Sequence, residues 1–64
     1  MKTTVYKDNL IVINDGRCFF YLYDADGEVN ERSASDLQSA KDAIDAFEDE
    51  HGGLYDTNGE LYHP

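Results

Sequence analysis

The run Arg17-Cys18-Phe19-Phe20-Tyr21-Leu22-Tyr23 constrains this chain more than any other stretch. Its aromatic residues favour a strand, and successive side chains of a strand point to opposite faces. Cys18, Phe20 and Leu22 therefore share one face, and Phe19, Tyr21 and Tyr23 share the other. The run Leu10-Ile11-Val12-Ile13 is apolar on both faces in the same way. A sheet built from these two segments has two apolar faces, and each needs a cover.

Turn residues divide the rest. Thr3 to Tyr6 reads as a first strand and Lys7-Asp8-Asn9 as a turn, with Leu10 to Ile13 as the second strand. Asn14-Asp15-Gly16 is a hairpin turn, because Asn, Asp and Gly tolerate positive φ. Asp24-Ala25-Asp26-Gly27 reads as a type I turn followed by a glycine bulge, and Glu28 to Arg32 as a polar edge strand. The period then changes. Leu37, Ala40, Ile44 and Phe47 recur at spacings of three, four and three, which predicts an amphipathic helix of about four turns. Ser35 with Gln38 forms a capping-box pattern, Ser33 with Asp36 a competing one, and Gly52-Gly53 stops the helix. Leu54-Tyr55 and Glu60-Leu61-Tyr62 flank Asp56-Thr57-Asn58-Gly59 as a last hairpin. The segment from Leu22 to Val29 is echoed by the segment from Leu54 to Leu61 at an offset of 32 residues. The flanks do not repeat, so this reads as one turn chemistry used twice.

The predicted fold is α+β and spans 1–64 as a single domain. An antiparallel sheet of three to four strands (1–32) carries one amphipathic helix (33–51) packed on one face, followed by an acidic C-terminal hairpin or tail (52–64). The expected core sets Leu37, Ala40, Ile44 and Phe47 against Leu10, Val12, Cys18, Phe20 and Leu22, although alternation alone leaves the choice of sheet face open. The other face, with Ile11, Ile13, Phe19, Tyr21 and Tyr23, then needs the C-terminal segment, a partner protein or a second copy of the chain. Tyrosines suit an interface.

Charge is the second constraint. Fourteen acids and five bases give a net charge of −9. Residues 1–41 hold seven acids and all five bases, whereas residues 42–64 hold seven acids and no Lys or Arg. Such a surface repels nucleic acid and anionic lipid and attracts a protein partner with a basic surface. The bland reading is solubility. Halophilic adaptation also favours acidic surfaces, but the five tyrosines, three lysines and modest alanine content do not specially favour it. Asp42, Asp45 and Asp49 align on the helix face away from the apolar stripe, with Glu48 and Glu50 beside them, at roughly 5 to 6 Å between neighbours, comparable to phosphate spacing. They crowd the helix C-terminus, where the dipole disfavours anions by ~0.3–1 kcal/mol each. Asp24, Asp26, Asp56 and Glu60 extend this acidic footprint if the turns lie on the same side.

Chemistry-bearing patterns are few. Asp24-x-Asp26-Gly27 and Asp56-x-Asn58-Gly59 each match half of a calcium loop. The first-ligand positions hold Leu22 and Leu54, however, and Ser33 stands where the first loop needs its closing glutamate. His51, His63 and the single cysteine, Cys18, lack metal-ligand spacing. The reading is therefore not an enzyme, with no cofactor and no metal. The longest apolar runs are far too short to span a membrane, and the N-terminus lacks the apolar core of a signal peptide. A cytoplasmic location is expected.

In size, charge and layout the whole chain resembles the small acidic phage- or mobile-element-encoded inhibitors, the anti-CRISPR proteins and DNA mimics. The segment Ser33 to Asp45 looks like the helix that follows a three-stranded sheet in many small prophage proteins. The layout is also similar to the arm-binding domains of some integrases. Those use a basic sheet, whereas the third strand here carries only Arg17. The first resemblance implies an inhibitor, working in a bacterial host cell, that blocks a basic nucleic-acid-binding site with Asp42, Asp45, Glu48, Asp49 and Glu50 in place of phosphates. The alternative is a small interaction module that self-associates through the aromatic face of its sheet.

Overall fold

The computed structural model describes residues 1–63; Pro64, expected to end the tail, lies outside them. Four strands form one antiparallel sheet in the order β1-β2-β3-β4: β1 Lys2–Tyr6, β2 Asn9–Asn14, β3 Arg17–Tyr23 and β4 Val29–Ala34. One helix, α1, spans Leu37–His51 and packs on one face, chiefly against β3 and β4. The α+β expectation of a three- to four-stranded antiparallel sheet with one helix on one face holds, with four strands.

The β2–β3 connection is the two-residue turn Asp15-Gly16. Both residues have positive φ, 52° and 80°, as a type I′ turn requires. This turn sets Asn14 opposite Arg17, Ile13 opposite Cys18 and Ile11 opposite Phe20. Directly paired residues share a face, so Ile11 and Ile13 lie with Cys18, Phe20 and Leu22 beneath the helix. Ile11 is 0% exposed, whereas Leu10 is 55% exposed. The expected core was thus right for β3 and one residue out for β2. Leu10 and Val12 belong to the open face, and Ile11 and Ile13 do not. The sequence carried the deciding signal: a two-residue turn fixes which residues pair, and pairing fixes the face.

The core is Ile11, Cys18, Phe20, Leu22, Ala40, Ile44, Phe47 and Leu54, with Ile13, Leu37, Ala43 and Tyr62 packed against it. The helical stripe read from the periodicity is therefore the buried face. Both ends of the sheet–helix boundary differ from expectation. β4 continues to Ala34, which pairs with Cys18, and Ser33 pairs with Phe19. Ser33 is thus part of the sheet, three residues before the cap position, and Ser35, the expected cap, lies one residue before it. Asp36 caps the helix instead, at φ −155°, its carboxylate accepting from Ser39 N at 2.7 Å. A charged acceptor replaces the expected serine hydroxyl, and Gln38 turns along the helix to donate to Asp42 at 3.0 Å. Gly52, at φ 75°, closes the helix in the left-handed conformation.

The turn echo is geometric as well as sequential. Asp24 Oδ1 accepts from Asp26 N and Glu28 N, both at 3.0 Å. Asp56 Oδ1 accepts from Asn58 N at 2.8 Å and Glu60 N at 3.0 Å. Gly27 N donates to Asp24 O and Gly59 N to Asp56 O in the same way. The two turns also meet, because Tyr23 and Tyr55, equivalent positions in the echo, pair with each other antiparallel. Leu22 and Leu54 are correspondingly both buried.

The capping geometry predicts that Asp36→Ala lowers the melting temperature by roughly 5 °C, while Ser35→Ala shifts it by less than about 2 °C. Thermal unfolding followed by circular dichroism checks this, and equal losses in the two variants would refute the assignment of the cap to Asp36.

Candidate functional site: an open sheet face and an acidic helix face

The helix covers one side of the sheet, and the C-terminal segment does not cover the other. Leu54 is buried in the core and Tyr62 packs against it, tied back by Tyr62 N donating to Leu54 O at 2.7 Å. The side chain of Leu61 lies against Gly53, a buried glycine whose missing Cβ leaves it room. Tyr55 lines the far side with β3, at the end where it pairs with Tyr23.

The far side is largely apolar, with Glu31, which pairs with Tyr21, as an exposed acid on its β4 edge. Val5 pairs with Leu10 and Val12 with Phe19. Val5, Leu10, Phe19, Tyr21 and Val29 are all exposed. A groove of about 510 Å³ runs over it, walled by Leu10, Val12, Phe19, Tyr21, Tyr23 and Tyr55. Asp8 and Asp56 line the same groove. Asp8 immediately precedes β2, and Asp56 follows Tyr55, which pairs with the last residue of β3, so both mark one end of the groove. Arg17 begins β3 at the opposite end, exposed and on the same face as Phe19 and Tyr21 by alternation. Of the five apolar interface residues expected from the sequence, Phe19, Tyr21 and Tyr23 are here. Ile11 and Ile13 are corrected to the core side, and Leu10, Val12, Val5 and Val29 are the residues the sequence reading missed.

The acidic residues divide into three groups. Asp45 and Glu48 face the β1–β2 turn, where Lys7 Nζ lies 2.8 Å from Asp45 and 2.7 Å from Glu48. The Tyr6 hydroxyl donates to both Asp45 oxygens, at 3.0 and 3.2 Å. The Lys41 and Lys7 ammonium groups sit 5.5 and 5.6 Å from the Tyr6 ring centre. These two carboxylates thus clamp the hairpin to the helix. The clamp sits on the two-residue turn Lys7-Asp8, whose φ values of 49° and 64° make a left-handed pair with no glycine. Buried Asn9 supports the turn, donating from Nδ2 to Lys7 O at 3.0 Å.

Asp24 and Asp56 form a second group, each spending Oδ1 on its own turn. Asp42, Asp49, Glu50, Asp26 and Glu60 remain exposed, with Asp42 accepting from Gln38. His51, the only base of the last helical turn, stacks on Phe47 with ring centres 4.0 Å apart. The expected row Asp42, Asp45, Asp49 is therefore interrupted in charge, because its middle member already has a cation. Sequence reasoning missed Lys7, which lies 38 residues away from Asp45 in the chain.

The Lys7 ammonium holds the Asp45 carboxyl below the ordinary carboxylate value, and the hydrogen bond from Ser39 N does the same for Asp36. Asp45 thus stays ionised and is poorly suited to proton donation. Its carboxylate in turn raises the Tyr6 hydroxyl, and Asp45 and Glu48 raise Lys7. Among the described residues, no group of three acidic, His or Cys side chains is placed to hold a metal ion, and no helix is long and apolar enough to cross a membrane.

Because both carboxyls titrate lower in the fold than in the open chain, the stability they supply is complete above the ordinary value of 3.8. It is lost as pH falls through their lower folded values. Lys7→Met is expected to lower the melting temperature at pH 7 by a few degrees and to flatten the acid limb of the stability curve. Thermal melts from pH 2 to 7 test this. An unchanged acid limb in Lys7→Met would remove Asp45 from the account.

No protein-family model, curated protein or solved structure matches this chain.

Proposed function

We propose that this chain is a non-enzymatic protein-binding module that works through the open face of its sheet. One observation carries the reading: the face around Phe19 and Tyr21 is apolar, exposed, and left uncovered by both the helix and the C-terminal segment. Exposed apolar surface of this extent, with tyrosines at its centre and charges at its ends, has the composition of an interface core with a polar rim. The face is built on the two central strands, so it is presented on a rigid support. No hydrogen bond or ion pair within the chain uses the Tyr21 hydroxyl among the described residues, which leaves it for a partner.

A second reading keeps the acidic surface as the working part. Asp42, Asp49 and Glu50 then occupy a basic, phosphate-holding site of a defence or DNA-processing protein, with Asp26 and Glu60 as outliers. The absence of Lys and Arg from residues 42–64 favours it. Asp45, Glu48, Asp24 and Asp56 contribute less here, because Lys7 and the turns already engage them.

Two variants separate the readings. Phe19→Ala/Tyr21→Ala is expected to cut recovery of any bound protein at least tenfold in affinity capture, whether another protein or the chain's own copies. Asp42→Lys/Asp49→Lys/Glu50→Lys is expected to leave recovery unchanged. Asp45 is excluded from the charge reversal because Asp45→Lys sets two ammonium groups against each other at the hairpin clamp. Loss of capture in the charge-reversed variant, with retention in the aromatic one, would transfer the function to the helix face.

A further inference from the structure

We infer that the occupant of the open sheet face is a second copy of this chain, stacked face to face with its β3 strand antiparallel to the first. This deepens the reading above and rests on it.

The charges at the ends of the face supply the argument. Arg17 stands at the start of β3, and Asp8 and Asp56 line the groove at its other end. Arg17 has no ion-pair partner among the described residues. The two ends are about six strand residues apart, or roughly 20 Å. A two-fold axis through the middle of β3 therefore brings Arg17 of each copy over the Asp8–Asp56 end of the other. Both pairs form at once, as an isologous interface demands. Phe19 and Tyr21 lie near the axis, where sheets packed about 10 Å apart interdigitate their side chains.

Glu31, which pairs with Tyr21, is the acid on this face that faces its own copy, and it stands on the edge strand β4, at the rim of the stack. The rest of the net charge of −9 opposes the arrangement less. Seven of the acids in excess belong to residues 42–64, and those of the helix lie on the far side of the sheet. In a helix–sheet–sheet–helix stack the two helices are the outermost layers, roughly 30 Å apart. The Debye length at physiological salt is about 8 Å. A partner with a strongly basic surface is steered instead to the helix side, away from the groove.

Area sets the expected strength. Four strands about 4.8 Å apart and about 20 Å long present roughly 400 Å² in plan per copy. Two copies together give roughly 800 Å² in plan, below the size of standard specific interfaces, so the dimer is weak and reversible.

The test uses sedimentation equilibrium of the intact chain over micromolar to submillimolar concentrations, with circular dichroism to confirm that each variant is folded. Wild-type protein is expected to dimerise, and Phe19→Ala/Tyr21→Ala to be monomeric throughout. Arg17→Glu and Asp8→Lys are each expected to weaken self-association about tenfold, because each sets like charges together at both ends. Asp8 is at φ 64°, where aspartate is favoured over lysine, so the affinity of Asp8→Lys is compared with that of Asp8→Asn, which removes the charge and keeps the turn. An equimolar mixture of Arg17→Glu and Asp8→Lys restores both attractive pairs in the heterodimer, and its affinity is expected to return to within about threefold of wild type. A wild-type chain that stays monomeric at submillimolar concentration overturns the inference. If the aromatic variant then still loses capture of a different protein, the binding-face reading stands without it; if it does not, both fall. A dimer that is indifferent to the charge exchange also overturns the antiparallel arrangement.

Discussion

A fifteen-residue helix covers one face of a four-stranded sheet whose third strand is apolar on both faces, and the remaining features follow from that imbalance. Cys18, Phe20 and Leu22 are satisfied by Ile44, Phe47 and Ala40 beneath them. Phe19, Tyr21 and Tyr23 have the same claim to burial, and among the described residues the C-terminal segment reaches them at one end, through Tyr55 and its neighbours. Hydrophobic burial scales with area removed from water, so the uncovered side is the largest unspent driving force in the molecule. An account of what this chain binds starts there.

The acidic residues show why charge counting misleads. From the sequence they form one block, and a row on a helix face resembles a row of phosphates. In the folded chain Asp45 and Glu48 are the receiving half of a clamp that pins the β1–β2 hairpin through Lys7 and Tyr6. Asp24 and Asp56 are turn-forming residues whose carboxylates close two identical loops. A partner meets the acids left over, and those lie mostly away from the groove, although Asp8 and Asp56 line it.

That division also explains the local conflict at the helix C-terminus, where acids crowd an end that prefers cations. Glu48 is offset by Lys7, which arrives from the sheet. His51 stacks on Phe47 in the last turn. Asp49 and Glu50 have no partner of this kind among the described residues, and the cost of placing them there is screened by solvent.

Much of this architecture was legible in the residues alone, because its causes are local. The strand limits of β3, the helical stripe, the glycine stop and the repeated Asp-x-(Asp/Asn)-Gly turn depend on neighbours within a few positions. The face of β2 was also determined locally, by the two-residue Asp15-Gly16 turn, since the turn length sets the pairing and the pairing sets the side. Tertiary structure decided what depends on residues far apart in the chain. It ended β4 at Ala34 and began the helix at Leu37, which put Asp36 rather than Ser35 or Ser33 at the cap position, and it brought Lys7 to Asp45 and Glu48. It also sent Leu54 and Tyr62 to the helix side, which left the other side of the sheet open. Periodicity reports the faces an element has, whereas packing alone decides which of two apolar faces receives the only helix.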